Sequence, residues 1–87
     1  MPVISMFYGI IIQMFYDDHY PPHFHAKYQD NEAMFDLDGN LLKGKLPKPQ
    51  TNLVEAWCEI HHDELVANWE IASRKEDGPM YKIDPLK

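Results

Sequence analysis

The chain has almost no cysteine. Cys58 is the single one in 87 residues, so no disulfide can form within the chain. The fold must hold without staples, as proteins of a reducing compartment do, and the expected location is the cytoplasm. Cys58 itself reads as a small core residue. Cations are scarce too. Eight Lys and Arg stand against 14 Asp and Glu, a net charge of −6 with the histidines neutral. That balance opposes general nucleic-acid binding, which needs a dense positive surface to release counterions. A local basic patch is still compatible with RNA. The one lysine-rich stretch, Lys43, Lys45 and Lys48, reads as a solvated loop. Long apolar runs are absent: Met6 to Ile12 is far too short to span a bilayer. No basic leader with a small-residue cleavage site is expected. No internal repeat or low-complexity segment appears.

What the chain does have is core-forming material. Hydrophobic residues make up 45% and aromatics 13%, which argues against disorder. A chain of this length buries roughly 60–65% of its unfolded surface and forms one domain, residues 1–87. Residues 3–16 are rich in β-branched and aromatic side chains and read as one strand, bent at Gly9. Both of its faces are apolar, so a second face needs a cover; a second copy of the chain is one candidate, giving a dimer. Residues 23–28 alternate cleanly, with Phe24, Ala26 and Tyr28 on one face and His23, His25 and Lys27 on the other. Further strands are expected over 33–37 and 41–46, with Pro47 and Pro49 ending the pairing. Thr51 or Asn52 is the expected N-cap of one long helix over 51–73, with Leu53, Val54, Trp57, His61, Leu65, Trp69 and Ala72 as its apolar stripe. The tail, 74–87, includes a short edge strand at 80–83. Strands followed by a helix predict an α+β fold: a small antiparallel sheet of three to four strands, with the helix across one face.

The concentrated chemistry lies in Asp17-Asp18-His19-Tyr20-Pro21-Pro22-His23-Phe24-His25-Ala26. Strand geometry places His23 and His25 on one face, about 6.6 Å apart, and His19 lies across a stiff Pro-Pro turn. Two chemistries fit. Three imidazoles with an open fourth position can hold a catalytic zinc or another divalent metal, with Asp17, Asp18, Asp36 and Asp38 as further ligands or as acceptors for the imidazoles. Without metal, a neutral and a charged histidine can cleave RNA by activating the ribose 2′-hydroxyl and protonating the leaving oxygen, with Lys27 beside the phosphate. Set against both, imidazole-to-backbone hydrogen bonds can simply hold a Pro-Pro turn. His61 lies in the helix stripe between Trp57 and Leu65 and reads first as a buried, hydrogen-bonded histidine. The other reading makes His61 a supporting residue that points into the site of the strand histidines, but strand parity puts it across the sheet from His23 and His25. Trp57 and Trp69 read as core anchors.

The histidine turn, the Gly44-Lys45-Leu46-Pro47 segment and the helix carrying Trp57, His61, Glu64-Leu65 and Asn68-Trp69 together resemble the small bacterial domain-of-unknown-function 4160 family. The resemblance spans nearly the whole chain, from Ile4 to Ile83. Many members carry an arginine soon after Leu-Pro, where this chain has Lys48 and Pro49. The resemblance implies a neighbour-encoded partner of the domain-of-unknown-function 2442 type, in a pair of toxin–antitoxin kind with this family on the toxin side. Three functions follow as expectations: an RNA-directed toxin acting through His19, His23 and His25; a zinc-binding domain using the same three residues; and a non-enzymatic interaction module whose histidine turn shapes a docking surface.

Overall fold

The computed structural model describes residues 3–16, 20–73 and 80–86. Five strands come first: β1 (Val3–Phe7), β2 (Ile10–Gln13), β3 (His23–Tyr28), β4 (Asn31–Asp36) and β5 (Leu41–Gly44). They form one antiparallel meander in the order β1-β2-β3-β4-β5. Two helices follow, α1 (Lys48–Ile60) and α2 (His62–Ser73). The α+β class and antiparallel sheet stand as expected; the numbers of strands and helices do not.

The first correction is at Gly9. The expected bent strand is a hairpin, with Phe7 opposite Ile10 and Met6 opposite Ile11. Tyr8 and Gly9 both have positive φ, 49° and 78°, the conformation of a two-residue turn that matches strand twist. Tyrosine rarely takes the first such position, which hides the turn in the sequence. The second correction is the helix. It starts at Lys48, with Pro47 as N-cap and Pro49 in the first turn, where a missing N–H costs nothing. Thr51 is inside it, its hydroxyl donating back to the Leu46 and Pro47 carbonyls. At His61, with φ −108° and ψ 24°, the helix breaks. Asp63 and Glu64 then sit in the first turn of α2, favourably placed at its positive end. The third correction is the tail. Residues 80–86 form no strand; a single backbone bond, Ile83 N–H to Ile4 O at 2.7 Å, ties them to the β1 edge.

Register sorts the sheet faces. Phe7, Ile10, Ile12, Phe24, Ala26, Ala33 and Phe35 are all buried on the helix side. Trp57 of α1 seals them, its ring 5.4 Å from Phe7 and 5.7 Å from Phe24. Val54, Cys58, Leu65, Trp69 and Ala72 join the same buried cluster. Burying an aromatic or large aliphatic side chain contributes about 1.5–3 kcal/mol each, so this one layer supplies most of the drive to fold. The opposite face is partly open, with Met6, Glu32 and Lys43 exposed and Ile11, His25, Lys27 and Met34 half-buried. One row there runs Gln13, His25, Met34 and Lys43 across four strands, and the next runs Met6, Ile11, Lys27 and Glu32. No helix among the described residues is long and apolar enough to cross a membrane.

Candidate functional site

Strand pairing builds the site around His25. Its row places Gln13 on one side and Met34 on the other. Period two brings Lys27 to the same face. The hairpin of β3 and β4 sets Glu32 diagonally opposite, with Oε2 3.5 Å from His25 Nδ1. The pair edges a cleft of about 280 Å³, lined by His25, Glu32, Ala33, Met34, Lys43 and Gly44. Phe15, just after β2, packs edge-on against the His25 ring at 4.8 Å. A base, an acid and a cation therefore meet on a shallow, accessible surface.

His23 has a different fate. It begins β3, at the end of the sheet, where Trp69 of α2 closes over it at 5.4 Å between rings. The residue is only 4% exposed, and its Nδ1 lies 2.7 Å from the Pro21 carbonyl oxygen. Its ring also meets that of His25 edge-on at 5.2 Å. Phe15, His25, His23 and Trp69 thus form a chain of ring contacts running from the open face to the second helix. Strand parity holds for His25; at His23 an overhanging helix reaches the far face.

The other expected residues are spread widely. Asp17, Asp18 and His19 lie outside the described residues. Lys27 sits on the open face opposite Glu32 in register. Asp36 faces His23 in register, but its carboxylate is committed to the β4–β5 turn. It accepts from the Asp38 and Asn40 backbone N–H groups at 2.9 Å each and from the Asn40 amide at 3.0 Å. Burial pushes the Asp36 carboxyl upward, yet these hydrogen bonds together hold it below its ordinary value. His61 lies at the α1–α2 junction, ring to ring with Trp57 at 5.7 Å and 2.6 Å from Glu64 Oε1. It braces the helix break on the core side of the sheet.

At the Asp38 end, a cleft of about 440 Å³ is lined by Asp38, Asn40, Glu55, Cys58, Glu59 and His62, among others. His62 Nε2 is 3.1 Å from Asp38 Oδ1. Cys58 donates its thiol to the Leu37 carbonyl, and burial, then the charges of Asp36 and Asp38, push its pKa up to about 12. It is an inert core thiol at neutral pH. Among the described residues no three His, Cys, Asp or Glu side chains converge as a metal-ligand set.

Glu32 and Lys43 were not visible as site residues in the sequence. Glu32 is one acid in a turn-rich stretch, and Lys43 reads as part of a solvated loop. Only register joins them to His25. The signal available was the hairpin Gln29-Asp30, which fixes which β4 residues lie opposite β3. Asn68 stood out in the sequence only as part of the helix pattern, without a role. Buried to 1% exposure, it holds the backbone of Tyr81 with both ends of its amide.

No curated protein and no solved structure matches the chain. A family model does: residues 9–70 match the domain of unknown function DUF4160, a span that includes the histidine turn, the whole His25 cleft and the Asn68-Trp69 pair, and the chain belongs to that family.

Proposed function

We propose that the protein is an RNA-directed effector, the toxin-like member of a two-gene module, and that it works through His25 on the open sheet face. The observation that carries this reading is the His25–Glu32 contact of 3.5 Å beside Lys43 in one cleft. In the proposed step Glu32 takes the proton from a ribose 2′-hydroxyl, and the freed oxygen attacks the adjacent phosphorus. Lys43 faces the phosphate oxygens as charge builds on them. Protonated His25 gives its proton to the departing 5′-oxygen. The P–O5′ bond breaks as the P–O2′ bond forms, leaving a 2′,3′-cyclic phosphate and a 5′-hydroxyl, with no metal required. His23 is removed from the chemistry by its burial and becomes the support that keeps the His25 ring in place.

The charge distribution supports this reading better than the total of −6 does. Lys27 and Lys43 stand on the His25 face, and Lys45 and Lys48 follow directly along the chain. Asp38, Glu55 and Glu59 gather instead at the separate Asp38 cleft.

The test is cleavage of single-stranded RNA by the purified chain in excess EDTA. Cyclic-phosphate ends are expected, with the rate falling about 10²–10⁴-fold in His25→Gln and in Glu32→Gln. Expression in a bacterial host should arrest growth, and the same two changes should relieve it. Cleavage that survives His25→Gln would sink the reading. Cleavage abolished by EDTA and restored by zinc would favour the metal reading, with His19 as the added ligand. A second observation supports an interaction role on the same face: Met6 is 58% exposed, with its register partner Ile11 half-buried beside it. The protein encoded beside this one is the proposed partner, covering the His25 cleft as its inhibitor.

A further inference from the structure

We infer that the free edge of β5 is a docking edge for an extended, acidic segment of another protein, which pairs with it as an added strand. The two edges of the sheet differ. At β1 the chain covers its own edge through the Ile83 N–H to Ile4 O bond. At the other end β5 has a strand neighbour, β4, on one side only. All of its residues, Leu41–Gly44, are exposed, which holds for no other strand among the described residues. Leu41 and Leu42 keep 50% and 42% of their surface in water. An open edge offers N–H and C=O groups that a guest strand can complete.

Charge decides the guest. Between Asp38 and Glu55 the chain has three lysines, Lys43, Lys45 and Lys48, and no acid, and all three are exposed. The carboxylates of neighbouring β4 are turned elsewhere, Glu32 toward His25 and Asp36 into its turn. A second copy would bring the same lysines to the seam with no acid to meet them, and like charges across a strand pair are unfavourable. An acidic guest is attracted by the same lysines. The bulge at Leu42, between the Met34–Lys43 and Phe35–Leu41 pairs, keeps the paired stretch short, so charge carries the choice. Register sets the guest's pattern. Leu41 shares the helix side with Phe35, and Lys43 shares the open face with Met34. The guest therefore alternates, with apolar side chains beside Leu41 and acidic ones beside Lys43. Lys43 and Gly44 also line the His25 cleft, so the guest lies at its rim. That this guest is the inhibitory partner rests on the cleavage reading above; the docking edge does not.

The experiment titrates the full chain, labelled for amide NMR, with the peptide Val-Glu-Val-Glu-Val-Glu, blocked at both ends. The amides of Leu41, Leu42 and Lys43 should shift. The peptide Val-Lys-Val-Lys-Val-Lys should bind at least about tenfold more weakly, since each cross-strand charge pair changes sign. Lys43→Glu with Lys45→Glu should reverse that preference; Lys43→Gln with Lys45→Gln, the gentler pair should that chain not fold, should erase it. Strand pairing is read with N-methylated peptides. Methyl groups on the valine nitrogens in one peptide, and on the glutamate nitrogens in another, block opposite edges of the guest. One should lose binding and the other keep it. The same outcome for both overturns the proposal, as does a charge preference that the lysine variants leave unaltered or the absence of shifts at β5. Tighter binding of a 2′-O-methyl uridine hexanucleotide, which cannot be cleaved, at the same amides would assign the edge to RNA and overturn it. Concentration-dependent shifts there without peptide would assign it to a second copy and overturn it as well. All of these readings are of binding, so they stand whether or not the chain cleaves RNA.

Discussion

His23 and His25 stand two residues apart on β3, and their surroundings divide the molecule. Around His23 nearly every polar group is committed: its own Nδ1 to Pro21, the Asp36 carboxylate to a turn, Asn68 to the backbone of residue 81. Around His25 the groups are arranged on a surface that water and ligands reach. The first region spends histidine, tryptophan and asparagine on holding elements together. The second carries a base, an acid and a cation side by side. The same residue type on the same strand thus meets different surroundings according to what the helices cover.

The strongest way to break this division is at the helix that covers His23. Trp69→Ala should cost about 3–5 kcal/mol, the range for truncating a buried aromatic, as read by urea unfolding. If the cost is under about 1 kcal/mol, the His23 region is not the brace described. A change on the other side sharpens the contrast. Gly44 lines the His25 cleft with φ +71°, and a Cβ added there would run into the Glu32 carbonyl. Gly44→Ala should destabilise by about 1–3 kcal/mol and displace β5 from β4. Activity should fall with it, because Lys43 and Glu32 sit on those two strands.

The smallest effect is electrostatic. Asp36 has a folded-state pKa below its ordinary value of 3.8. Its contribution is therefore fully present above the unfolded pKa and is lost as pH falls through the folded one. Thermal unfolding between pH 5 and pH 2 should show a shallow loss of stability that Asp36→Asn flattens, with the RNA-cleavage rate at pH 7 little changed. A large fall in that rate would put Asp36 into the chemistry instead.

Much of this was legible in the chain before folding. The alternation of His23 to Tyr28 gave the strand and the correct face for His25. The stripe from Val54 to Ala72 gave the helical layer and its two tryptophans. Three physical effects hid the rest. A tyrosine in a left-handed turn position concealed the first hairpin. A break at His61, with φ −108° and ψ 24°, divides a helix whose apolar stripe runs on without interruption. Pairing register, signalled only by the turn at Gln29-Asp30, decided that Glu32 and Lys43 would join His25 at its cleft.

Whether His25 works and His23 supports is decided by one paired measurement: the thermal midpoint and the initial RNA-cleavage rate of His23→Gln and His25→Gln, side by side. A crossing is expected. His25→Gln should keep its midpoint within about 4 °C, a change below roughly 1 kcal/mol for a domain of this size, while its rate falls at least about 100-fold. His23→Gln should lower the midpoint by about 8 °C or more and, assayed well below that midpoint, retain most of its rate. The reverse pattern, with His23→Gln stable but inactive and His25→Gln unstable but active, would contradict the account.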